Sequence, residues 1–113
     1  MDIAEKIKLL EEGKLQLNKL TIELRKRAYI KVETERDYRK ALAIEEEKLR
    51  VNEKMPVSLI HDISRGRLSE LKYKRDIAAM EYDICKEYIR NIRINQESMR
   101  TLISFDKEHL KGV

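Results

Sequence analysis

From Asp2 to Lys54 the chain contains no proline and a single glycine, Gly13, and its only proline, Pro56, follows almost at once. A stretch of this kind, built mostly of Glu, Lys, Leu, Ile, Arg and Ala, loses little freedom on becoming helical and offers no turn residues at which strands could reverse. It predicts one long helix over residues 2–54, roughly 80 Å from end to end at the α-helical rise. Charged residues make up 41% of the 113 residues and aromatic ones 5%, with three Gly in all. Sandwiches, barrels and doubly wound sheets need far more Gly, Pro and Asn punctuation and are excluded on that composition. Glu23 with Arg27, Glu35 with Arg39 and Glu46 with Arg50 stand at i,i+4 with the acid first. That order supports a solvated helix by about 0.2–0.5 kcal/mol per pair. Gly13 is the weak point, either a kink or a place that allows a close backbone approach.

Pro56 removes a backbone donor and drives Met55 out of the helical region, so the first helix is expected to stop near Lys54. Residues 55–66 read as a connector holding at most a turn or so of helix, with Ser58 a candidate N-cap and Gly66 a candidate stop. Neither Gly nor Pro occurs between Arg67 and His109, which predicts a second helix over 67–109. The expected fold is all-α: one antiparallel helical hairpin over residues 1–113, coiled-coil-like in its packing.

On the second helix a heptad seam runs through Leu68, Leu71, Arg75, Ala78, Tyr82, Cys85, Ile89, Ile92, Gln96, Met99 and Ile103. Only Arg75 and Gln96 interrupt its apolar series, and it is expected to face the first helix. The first helix offers Ile3, Ile7, Leu10, Leu17, Leu24, Ala28, Tyr38, Leu42 and Leu49 as its best stripe. Lys14, Thr21, Lys31, Glu35 and Glu45 fall on seam positions there.

A second apolar series on the second helix, Tyr73, Ile77, Met80, Ile84, Tyr88 and farther on Leu102, repeats at the same spacing. At about 100° per residue it lies on a different face from the seam, and one partner helix cannot cover both. A two-helix hairpin also has little interior and is marginal alone. The expectation is self-association, most simply a dimer forming a four-helix bundle, with Tyr73, Ile77, Met80, Ile84 and Tyr88 as the oligomer or partner interface.

Lys and Arg total 25 and Asp and Glu 21, a formal charge of +4. Residues 1–55 carry 14 basic and 12 acidic groups and residues 56–113 carry 11 and 9, so neither half is a basic arm or an acidic tail. Arg65, Arg67, Lys72, Lys74 and Arg75 gather near the bend and are the candidate contacts for an anion or for nucleic acid. Arg90, Arg93 and Arg100 recur farther along, and like the bend cluster they read either as contacts for phosphates or an acidic protein surface or as the ordinary charged flank of a coiled coil. The N-terminus mixes acids with apolar residues from its second position, unlike a signal peptide, and apolar runs are only a few residues long. With Cys85 as the only cysteine, this predicts a cytoplasmic protein without an intrachain disulfide or a membrane span.

Paired rods provide few concave sites for catalysis, and no metal-ligand, phosphate-loop or nucleophile-elbow motif occurs. His61-Asp62 is the one adjacent pair resembling acid/base chemistry, and it reads as a surface or capping feature. Glu45, Glu46 and Glu47 are consecutive on a helix and point in different directions, which argues against a shared ion. Cys85 falls on the seam as a small packed thiol. No catalytic residue, cofactor or metal is expected.

Around the bend, Lys54-Met55-Pro56-Val57-Ser58-Leu59-Ile60, then Ile63-Ser64-Arg65-Gly66, then Leu71-Lys72-Tyr73 with Arg75-Asp76, the chain resembles short helical proteins encoded by phages and prophages of low-GC Gram-positive bacteria. The resemblance covers roughly the second half. It implies no assigned activity, but it does imply a context in which small proteins act by binding a host or phage protein, for instance to block a defence nuclease or adjust DNA metabolism. Taken together, the expected function is a non-enzymatic, self-associating protein-binding module, an inhibitor or adaptor. The alternatives are a nucleic-acid-binding protein using the basic bend and a structural or scaffold coiled coil.

Overall fold

The computed structural model describes residues 1–112. It is an all-α helical hairpin of three helices, α1 (Ile3–Val51), α2 (Val57–Arg67) and α3 (Ser69–Lys111), with no strand among the described residues. Asp2 opens α1 by accepting the Glu5 backbone N–H on Oδ1 at 2.8 Å, which satisfies one of the first-turn donors. At the other end the chain leaves α1 through Lys54, whose φ of 50° lies in the left-handed region. The Met55 N–H then reaches back to the Leu49 carbonyl at 3.0 Å. Glycine is the usual residue for such a turn.

The chain divides into two compact units. The first, Lys26–Tyr82, holds the second half of α1, all of α2 and the start of α3. In place of the expected 55–66 connector with at most a turn or so of helix, α2 runs for 11 residues, about three turns. Pro56, not Ser58, is its N-cap, and no side chain caps it. Gly66 does not stop it either, because Gly66 keeps a negative φ inside the helix. The break falls at Leu68, whose N–H still bonds to the Ser64 carbonyl at 3.1 Å, while its own carbonyl accepts from Lys72 at 3.0 Å. The second long helix therefore starts two residues later than the sequence suggests and runs to Lys111. Tyr38, Leu49, Ile60, Ser64 and Ala78 are buried in this unit. With α2 packed beside it, α1 presents a broad half-buried face of Ala41, Leu42, Glu45 and Glu46.

The second unit pairs Met1–Arg25 with the segment from Asp83 onward, two antiparallel helix stretches in one layer. Cys85, Ile89, Gln96 and Ile103 of α3 are buried here. Ile3, Leu10, Leu17, Leu20 and Leu24 of α1 are half-buried opposite them. Every residue of the predicted α3 seam is buried or half-buried. The α1 stripe differs. Lys6, Gly13 and Leu20 occupy seam positions, whereas Ile7, Lys14 and Thr21 are exposed. Two polar devices close this seam. Lys6 pairs with Asp106 near the ends, and Gln96 Nε2 donates to the Leu10 carbonyl at 2.8 Å. A Cβ at Gly13 would lie 2.5 Å from Gln96 Oε1, so Gly13 serves close approach while α1 continues unbroken through it.

Candidate functional site

The five apolar residues expected to form an interface separate by unit. In the three-helix unit Tyr73 and Met80 are exposed on α3 and Ile77 is half-buried. In the two-helix unit Ile84 and Tyr88 are exposed, together with Ile94, Leu102 and Phe105. Beside these last, Leu9 and Leu102 flank a groove of about 420 Å³ between α1 and α3, floored by Gly13, Ile92, Gln96 and Met99. The groove is mixed in character, because Glu12, Gln16, Asn95 and Ser98 also line it.

The five basic residues near the bend all belong to the three-helix unit, and they are not equivalent. Arg67 is committed within the chain: its Nη1 lies 2.8 Å from Glu45 Oε1 and 3.4 Å from Glu53 Oε1. Those two hydrogen bonds, Glu45 first, hold its guanidinium above the ordinary arginine range. Arg75 is also committed. Its Nη2 is 2.9 Å from Asp76 Oδ1, its Nε is 3.5 Å from Glu35 Oε2, and the guanidinium stacks on the Tyr38 ring at 4.4 Å from the centroid. The Asp76 hydrogen bond leads the causes that raise its pKa, against a smaller lowering by burial. Arg65, Lys72 and Lys74 are exposed and have no carboxylate within ion-pair distance among the described residues.

Arg65 and Lys72 meet in a cleft of about 630 Å³ to which all three helices contribute. From α1 come Glu35 and Arg39, joined at 2.7 Å, and Glu46. Arg65 comes from α2, and Lys72 and Arg75 come from α3. Tyr38, Leu42 and Ala43 supply the apolar part of the wall. Sequence reasoning placed Tyr38 on the seam and Glu35 with Arg39 as a helix-surface pair, and both are so. That they share a cavity with Arg65 was out of reach while residues 55–66 read as a connector with at most a turn or so of helix.

The acidic triplet diverges: Glu45 pairs with Arg67, Glu46 Oε1 lies 2.7 Å from His61 Nδ1, and Glu47 pairs with Arg50. The expected Glu46–Arg50 pair is thus replaced by Glu47–Arg50, and His61 meets a carboxylate of α1 and forms an ion pair there only when its ring is protonated. No group of three or more His, Cys, Asp or Glu side chains is placed to share one ion among the described residues. Cys85 is buried in the two-helix seam, with Sγ 3.7 Å from the Leu20 carbonyl. No helix among the described residues is long and apolar enough to cross a membrane. No family model, curated protein or solved structure matches the chain.

Proposed function

We propose that this chain is a non-enzymatic helical module that pairs with a second copy of itself and binds another protein. The observation that supports it is the exposed apolar series on α3: Tyr73 and Met80 in one unit, Ile84 and Tyr88 in the other, on a helix whose seam residues are already occupied. Covering a side chain of this size is worth about 1.5–3 kcal/mol, and a hairpin with so small an interior gains from every one. Aromatic and Met side chains at helical spacing suit helix-to-helix docking. Sedimentation of the purified chain at tens of micromolar should report a mass above that of one chain. A clean monomer would remove self-association. Ile84→Asp combined with Tyr88→Asp should restore the monomer with helicity intact, because both residues are exposed within the single chain.

In its finer form, the proposal is a phage-encoded inhibitor or adaptor acting on a host defence or DNA-metabolism protein. The resemblance around Met55-Pro56 supports that form. Affinity capture from a low-GC Gram-positive host should retain such a protein, and the captured enzyme should lose activity when the chain is added. Retained activity at saturating chain would leave adaptor function and dismiss inhibition.

A further inference from the structure

The cleft between the three helices has a charge balance that its own residues do not close. Arg39 is answered by Glu35, and Arg75 by Glu35 and Asp76. Arg65 and Lys72 are answered by none of the described residues, and they enter from different helices, α2 and α3. Two uncompensated cations facing one cavity repel each other, so an arriving anion relieves that repulsion as well as making new contacts. Arg75 differs from both. Stacked on buried Tyr38 and held at two carboxylates, it presents a guanidinium whose position is fixed before any ligand arrives. Its Nε and Nη2 are held by Asp76, which leaves Nη1 as the donor it can offer beside the two exposed cations. Over the lining itself four cations face two carboxylates, Glu35 and Glu46, with Asp76 behind Arg75 outside it, and this positive surplus within three helical walls favours a compact anion over an extended strand.

We propose that this cleft is a binding site for a dianionic phosphoryl group, with Arg65 and Lys72 supplying the neutralising charge and Arg75 a fixed guanidinium. Tyr38, Leu42 and Ala43 give the group that carries the phosphoryl an apolar surface to rest on. Glu46 opposes the ligand, since its carboxylate lines the same cleft and its buried Oε1 has no hydrogen-bond partner, with His61 Nδ1 2.7 Å away. The proposal does not depend on self-association.

The test is calorimetric titration of the full-length chain with inorganic pyrophosphate at low salt, alongside a single-stranded oligonucleotide without terminal phosphates. Saturable one-site binding of pyrophosphate is expected. It should weaken roughly tenfold in each of Arg65→Gln and Lys72→Gln, the usual loss for one charge-assisted hydrogen bond. Glu46→Gln should tighten it. Both cations are exposed, so circular dichroism of these variants should match the parent chain. Absence of pyrophosphate binding would overturn the proposal. So would binding unchanged in the Arg65→Gln/Lys72→Gln double variant, and so would oligonucleotide binding without pyrophosphate binding, which would mark a surface that tracks a polynucleotide.

Discussion

Gln96 reaches across the two-helix seam to donate from Nε2 to the Leu10 carbonyl at 2.8 Å, and it can do so because residue 13, three positions on along α1, has no Cβ. A polar side chain in an otherwise apolar seam costs stability unless its hydrogen bond forms, and here the bond forms in only one alignment of the helices. Sliding α1 by one heptad would set Gln96 against side chains and leave its amide unsatisfied.

Gly13→Ala brings two opposing terms. Alanine favours the helix by about 1 kcal/mol over glycine, but its Cβ displaces the Gln96 amide and breaks a buried hydrogen bond worth about 1–3 kcal/mol. Net destabilisation of about 1 kcal/mol is expected in urea unfolding. In a Gln96→Ala background the same change should stabilise by about 1 kcal/mol. Additive effects across this double-mutant cycle would show that the two residues do not share space.

Lys54 turns the chain at the end of α1 with φ 50°, a region that costs a non-glycine residue about 1 kcal/mol or more. Lys54→Gly is expected to raise the unfolding midpoint, with a gain near 1 kcal/mol partly offset by the freedom glycine has in the unfolded chain. A lower midpoint would indicate that the lysine side chain contributes more than its backbone costs.

Ser64 is fully buried in the three-helix unit, and its Oγ has no hydrogen-bond partner among the described residues. Ser64→Ala removes an unsatisfied hydroxyl without opening a cavity, so stabilisation of about 1 kcal/mol is expected. Hydrogen exchange at the amides of α2 should slow accordingly. Loss of stability would reveal a partner for the hydroxyl in solution.

Cys85 is buried against Leu20. Its thiol should react with an aromatic disulfide reagent only as fast as the two-helix unit opens, and at the full rate in denaturant. Immediate stoichiometric reaction under native conditions would place the sulfur at the surface. Cys85→Ala should cost about 1 kcal/mol, the value of a small deleted core group.

The α3 seam was legible because its apolar residues recur at three and four positions for more than thirty residues, so Arg75 and Gln96 stand out as interruptions. Both interruptions have structural partners, Arg75 on Tyr38 and Gln96 on Leu10. The α1 stripe was only half legible. Its inward positions include Lys6 and Gly13, which a search for apolar periodicity discards in favour of Ile7, yet Lys6 faces Asp106 and Gly13 makes room for Gln96. Nothing local marks those choices, because their reasons lie on the other helix. α2 was hidden for a different cause: Pro56 and Gly66 bracket it like punctuation, but proline is tolerated at a helix start and Gly66 simply stays helical. With α2 unseen, the cleft that joins Arg65 to Arg39 could not be seen either.

The Lys6–Asp106 pair joins residues a hundred positions apart, whereas the pairing of Arg67 with Glu53 spans fourteen. Closing a short loop loses less chain entropy than closing a long one, so the contacts beside the bend are the less costly ones to form first. On a ribosome, residues 1–25 emerge long before residues 83–112 exist to receive them. For that interval Leu10, Leu17 and Leu24, half-buried in the finished hairpin, have no partner residues to cover them.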